Sequence, residues 1–173
     1  MTHHRRRNNG TDPSKINETV ELSPAQRYAA FKQTQAKQRT VAAEFARSMP
    51  FELDEFQMQA NDALEAGDNV LVAAPTGAGK TVAADFAIYL AQTRNVKAFY
   101  TTPIKALSNQ KYHDLVDQYG TDKVGLLTGD TSINSEADIV VMTTEVLRNM
   151  LYEHSVTLEA LRYVILDLSL IHI

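Results

Sequence analysis

The sequence contains no cysteine and no tryptophan. Without cysteine there is no disulfide frame and no thiolate metal site. Its five histidines are scattered, and only His3 and His4, in a polar stretch, stand close together. Long apolar runs are also missing. Runs such as Val70–Ala74 and Tyr163–Leu166 are short, far below the roughly 20 residues needed to span a bilayer. Arg5–Arg7 could open a signal peptide, but polar Asn8–Ser14 follows where an apolar stretch would be required. A cytoplasmic protein with no membrane partner is expected.

What is present is an ordinary globular composition: 173 residues, 44% hydrophobic and 22% charged, enough for one domain with its own core. The net charge of −4 conceals an asymmetry. Residues 1–48 carry nine Lys/Arg against four Asp/Glu, and residues 49–173 carry eight against seventeen. A basic arm on an acidic body suits contact with nucleic acid, and equally a solvated helix surface. Residues 1–22 have too few apolar side chains to order themselves and read as a disordered tail. Ser23, Pro24 and Gln26 then give an N-cap, a first helical position and a capping box. The spacing predicts one N-terminal helix within 23–48, running to about Arg47 and blocked by Pro50.

From residue 49 strands and helices alternate. Apolar strands are predicted over Asn69–Ala74, Lys97–Thr102, Lys123–Leu127, Asp138–Met142 and Arg162–Asp167. Helices are predicted over Lys80–Ala91, Lys105–Tyr119 and Thr144–Glu153, with Gly120 ending the second. This order implies an α/β fold: a mainly parallel sheet with helices on both faces.

Between the first predicted strand and its helix lies Ala74-Pro75-Thr76-Gly77-Ala78-Gly79-Lys80-Thr81. Gly77 and Gly79 let the backbone curl so that N–H groups face an anion. The helix start adds its positive dipole end. Lys80 supplies a charge for β/γ-phosphates, and the Thr81 hydroxyl can ligate Mg²⁺. Ala74 stands where the strict phosphate-loop pattern has glycine, whereas the alternative form Ala-x-x-Gly-x-Gly-Lys-Thr is matched in full. The bland reading is a glycine-rich turn without ligand.

With its neighbours this loop resembles motif I of superfamily-two DEAD/DEAH-box helicases, and most nearly their superkiller-like RNA helicases. Phe51–Gln57 resembles the adenine-recognising Q motif. Thr101–Lys111 resembles motif Ia, Leu127–Asp130 motif Ib, and Thr143–Asn149 the segment that follows. The resemblance implies a RecA-like first motor domain over 49–173, with ATP and Mg²⁺ as cofactors and RNA as partner. A DNA-directed helicase of the same superfamily, or a nucleotide-binding interaction module without turnover, are the competing readings.

The resemblance also implies roles, each with a plainer alternative. Gln57 would pair with adenine, or cap a helix after Asp54, and Phe51 would stack on the base, or pack in the core. Residues Pro75 to Thr81 would cradle the phosphates. Pro103 and Lys105 would hold a nucleic-acid phosphate, or form an ordinary helix start. Thr143 and Thr144 would do the same, or simply N-cap a helix, and Gly129-Asp130 would contact the strand, or be a turn. Asp167 would hold Mg²⁺ with Thr81, which makes Lys80, Thr81 and Asp167 the expected catalytic set. Here the likeness stops. Family members follow the Asp with a Glu that orients water, and this chain has Leu168. His172 has the wrong spacing for the motif's histidine. The second RecA-like domain and its arginine finger, which the resemblance implies, are expected to be missing from these 173 residues. Such a chain is expected to bind nucleotide and to hydrolyse almost none.

Overall fold

The computed structural model describes residues 23–37 and 39–167. The predicted tail over 1–22 and the segment Leu168–Ile173 lie outside them. The chain divides into two units, Met1–Gln38 and Arg39–Ile173.

The first unit contributes α1 (Pro24–Lys37). Its expected capping box is formed: Ser23 N–H donates to Gln26 Oε1 at 2.8 Å, and Gln26 N–H to Ser23 Oγ at 3.3 Å. The single helix predicted to reach Arg47 is two helices. Thr40 accepts from Ala43 N–H and caps a new helix, α2 (Val41–Ser48). The Glu65 carboxylate accepts from Val41 and Ala42 N–H at 3.0 and 2.8 Å. Three of the four amides that a helix start leaves orphaned are thereby satisfied at this start, a local alternative to unbroken helix.

In the second unit, α3 (Glu55–Ala66) follows α2 and α4 (Thr81–Thr93) follows the glycine loop. Then come β1 (Lys97–Thr102), α5 (Lys105–Tyr119), β2 (Val124–Thr128), β3 (Thr131–Ile133), β4 (Ile139–Thr143), α6 (Thr144–Tyr152) and β5 (Leu161–Leu166). The sheet order is β3-β2-β4-β1-β5. The β2–β4, β4–β1 and β1–β5 pairs are parallel, whereas β3 returns antiparallel on β2. The mainly parallel α/β sheet is therefore as expected.

Two of its strands are not. Asn69–Ala74 joins no ladder, and Leu71 is 92% exposed. A strand is made by a neighbour's backbone groups, and an apolar run alone does not supply them. The fifth strand is instead Thr131–Ile133, too short to carry a readable alternation.

Side-chain alternation divides the core. Tyr100, Val124, Leu126, Ile139 and Val141 pack with Ile88 of α4 and Leu115 of α5 on one face. Phe99, Val140 and Met142 pack with Leu147 of α6 on the other. A third cluster joins α2 to α4 through Phe45 and Phe86, whose ring centres are 5.2 Å apart. Burying each such ring contributes about 1.5–3 kcal/mol. Helices thus cover both faces, and the carboxyl ends of β1, β4 and β5 open on one rim of the sheet, where open α/β sheets place their ligands.

Candidate functional site

Residues 74–81 run into the start of α4 as a turn. Gly77 and Gly79 have φ of +84° and +76°, the left-handed region that side chains disfavour. A Cβ on Gly77 would meet open space, whereas one on Gly79 would lie 2.5 Å from Gln57 Nε2. Ala78 N–H closes a turn on Pro75 C=O at 3.2 Å. Lys80 Nζ donates to the Ala74 carbonyl at 2.7 Å, so the ammonium lies over the first residue of its own loop. Pro75, Thr76, Gly77, Lys80 and Thr81 are exposed, and Ala78 and Gly79 half-buried.

Gln57 is only 4% exposed. Its Oε1 accepts from Asp54 N–H at 2.8 Å and its Nε2 donates to Gly79 C=O at 3.0 Å. The capping alternative is therefore realised, and the same amide also braces the loop. One donor hydrogen and one lone pair of the amide remain. One helical turn on, Asn61 is buried with neither pole of its amide partnered. Phe51 is 52% exposed, not in the core. It lines a groove of about 530 Å³ with Met49, Leu53 and Met58, and neither Gln57 nor the loop takes part in that lining.

The helix starts after β1 and β4 are stitched together. The Thr102 and Ser108 hydroxyls are 2.7 Å apart and buried. Thr102 Oγ1 donates to Ile104 C=O at 3.0 Å, and Thr144 Oγ1 donates to Thr102 C=O at 3.2 Å. Thr143 occupies the N-cap position of α6 without a side-chain capping bond. Pro103 and Lys105 are exposed beside this cluster. Gly129-Asp130 is the two-residue connection of the β2–β3 hairpin, since Thr128 pairs with Thr131. The turn alternative is realised there too, and the turn faces Lys105, whose ammonium pairs with Asp130. The Lys105 and Thr128 hydrogen bonds hold the Asp130 carboxyl below its ordinary range.

At the end of β5, Asp167 N–H donates to Thr101 C=O at 2.9 Å. Its Oδ2 accepts from the Tyr100 hydroxyl at 2.7 Å. Burial first, and the adjacent Asp167 second, push the Tyr100 phenol far above its ordinary pKa, so it stays a donor. Lys111 Nζ stands 5.0 Å from the Tyr100 ring centre and 2.8 Å from Asp85 Oδ1. Tyr100, Lys111 and Asp85 escape a reading of the sequence. Tyr100 reads as one more apolar strand residue, Asp85 as helix surface, and Lys111 as the last residue of the motif Ia segment with no role of its own.

A glycine loop opening a helix against a mainly parallel sheet, with an aspartate at a neighbouring strand end, defines a P-loop α/β domain. The model of the DEAD/DEAH box helicase family matches residues 54–167, and the chain belongs to that family. It is 60% identical over 123 residues to a probable helicase, HelY, of Mycobacterium tuberculosis, covering 71% of this chain and 14% of that protein. Against the antiviral helicase SKI2 of Saccharomyces cerevisiae it is 51% identical over 122 residues, covering 70% of this chain and 10% of that one. Among solved structures, a hypothetical ATP-dependent RNA helicase from Sulfolobus tokodaii superposes with a TM-score of 0.54 at 28% identity, covering 73% of this chain and 40% of that one. The chain thus spans about a seventh of its HelY relative.

Among the described residues no helix is long and apolar enough to cross a membrane, and no cluster of His, Cys, Asp or Glu forms a metal site by itself.

Proposed function

We propose that this chain is the nucleotide-binding first motor lobe of an ATP-dependent RNA helicase. The observation that carries this reading is the loop itself: left-handed Gly77 and Gly79, a helix start behind them and Lys80 at its mouth. Val82 and Ala83 N–H of α4 bond the Gly79 and Lys80 carbonyls at 3.2 and 3.3 Å, and the positive dipole end of the helix behind them favours a phosphate there. Open space beside Gly77 leaves room for such a group. Lys80 would exchange the Ala74 carbonyl for the β/γ-phosphates.

Thr81 and Asp167 offer hard oxygen donors of the kind that Mg²⁺ takes with phosphate and water. Bound there, Mg²⁺ would offset charge on the transferred phosphoryl group. Phe51 and the remaining valences of Gln57 would meet the adenine. Pro103, Lys105, Gly129, Thr143 and Thr144 would follow a strand's phosphates, with Asp130 holding Lys105 in place. Contacts of that kind read no base sequence, as a motor on any RNA strand requires. Leu168 supplies no carboxylate to orient water, so the chain should bind nucleotide with little turnover.

Titration of a fluorescent ATP analogue with Mg²⁺ tests this reading. Lys80→Ala removes a charge-assisted contact of about 1.5–3 kcal/mol. A loss of affinity of roughly tenfold to hundredfold is expected. Equal affinity for both chains would refute it. Competition between RNA and DNA oligonucleotides for the same chain decides the strand type.

A further inference from the structure

A metal-holding carboxylate needs a partner that fixes its direction without taking its charge. A lysine paired directly to it would compete with the cation, whereas a neutral donor orients one oxygen and leaves the negative charge available. Tyr100 meets that requirement. It is buried on β1 between β4 and β5, and β1 carries it opposite Ile165, two residues before Asp167. Its hydroxyl donates to Asp167 Oδ2 at 2.7 Å, while the next β1 residue, Thr101, takes the Asp167 amide at 2.9 Å. Both the backbone and the side chain of Asp167 are therefore set by β1.

The cation beside Tyr100 is itself paired. Lys111 pairs with Asp85 at 2.8 Å and presents its charge to the Tyr100 ring, 5.0 Å from the centre. Asp85 stands four residues beyond Thr81 on α4, hence on the same helix face one turn down. Asp167, Tyr100, Lys111 and Asp85 thus form a chain of contacts from the end of β5 to the turn beneath Thr81.

We propose that Tyr100 is the positioning residue for Asp167, and that the Lys111–Asp85 pair holds Tyr100 in place, so that both candidate metal ligands are set by one network. The proposal rests on the reading that Thr81 and Asp167 hold Mg²⁺.

The experiment is a Mg²⁺ titration of fluorescent ATP-analogue binding to the full chain, alongside binding in EDTA. It compares the unsubstituted protein with Tyr100→Phe, Lys111→Met, Lys111→Arg and Asp167→Asn. Tyr100→Phe keeps the ring and its packing and removes only the hydroxyl. Its Mg²⁺ midpoint should rise about tenfold, as loss of a ligand's outer partner typically does, with affinity in EDTA unchanged. Lys111→Met should shift the midpoint the same way by less, and Lys111→Arg should restore it. Asp167→Asn should abolish the Mg²⁺-dependent gain. An unchanged midpoint in Tyr100→Phe, with the gain lost in Asp167→Asn, overturns the positioning role and leaves the metal reading standing. An equal fall in EDTA and in Mg²⁺ marks a merely structural tyrosine and also overturns it. If Tyr100→Phe does not fold, Lys111→Met decides: no shift in its midpoint overturns the network. Absence of any Mg²⁺-dependent gain in the unsubstituted chain removes both the metal reading and this inference.

Discussion

Two helix starts on the same rim are built in opposite ways. The one opening α5 is stitched from within: Thr102, Ser108, Ile104 and Thr144 exchange short bonds among hydroxyls and carbonyls that are mostly buried. The one opening α4 has an exposed approach with no ladder bonds, and is held by Gln57 on Gly79 and by Lys80 on Ala74. On the proposed function, the difference would follow the ligand that each start is to meet. A compact triphosphate brings enough charge to order a loop around itself, and binding supplies the missing stability. A long strand offers each contact one phosphate, so the surface that meets it must be shaped beforehand.

The sharpest way to test this contrast is at the two glycines. Gly77→Ala should cost only the left-handed backbone, about 1–2 kcal/mol. Gly79→Ala adds a methyl 2.5 Å from Gln57 Nε2 and so also displaces a brace of about 0.5–1.5 kcal/mol. Denaturant midpoints should therefore fall further for Gly79→Ala, and equal midpoints would mean that Gln57 does not hold the loop. A given concentration of nucleotide should raise the midpoint of either variant less than that of the unsubstituted chain.

On the stitched side, Thr102→Val keeps the shape and removes the shared hydroxyl. Ser108 still faces Ile104 C=O at 3.5 Å, which places the cost near the low end for a buried polar group, about 1 kcal/mol. Nucleotide should raise its midpoint as much as it raises that of the unsubstituted chain. A gain reduced as in the glycine variants would erase the distinction between the two starts.

The smallest effect is expected at the Lys105–Asp130 pair, which is exposed and screened by salt. Its carboxyl is held below the ordinary aspartate range by Lys105 and Thr128. A depressed carboxyl contributes stability above the unfolded value, and that contribution is lost as pH falls through the folded one. Melting curves of the original chain and Asp130→Asn should differ slightly at neutral pH. They should converge below about pH 4 and also in high salt. A difference that persists in acid would point to a role for Asp130 other than its charge.

These contrasts track what the sequence could disclose. Gly77, Gly79 and Lys80 are legible because the loop's geometry is written in adjacent residues, and α5 because Pro103 and Gly120 punctuate it locally. Its bounds, Lys105–Tyr119, are the predicted ones. Asn69–Ala74 misled because pairing is not a local property. The break at Thr40 was hidden because two of the three bonds of that cap come from Glu65, more than twenty residues away. Gln57 shows the same limit: its partner Asp54 was readable at three residues, and its partner Gly79, at twenty-two, was not.

One last consequence lies in the sheet's margins. On the β2 side, short β3 turns back on the margin and occupies it. On the β5 side, no strand among the described residues adds beyond β5, and Val164 and Leu166 are 46% and 56% exposed. An open margin of that kind is a template for a foreign strand. In concentrated solution, association of this chain is expected to start at β5, and a lysine in place of Val164 is the substitution that should keep it dispersed.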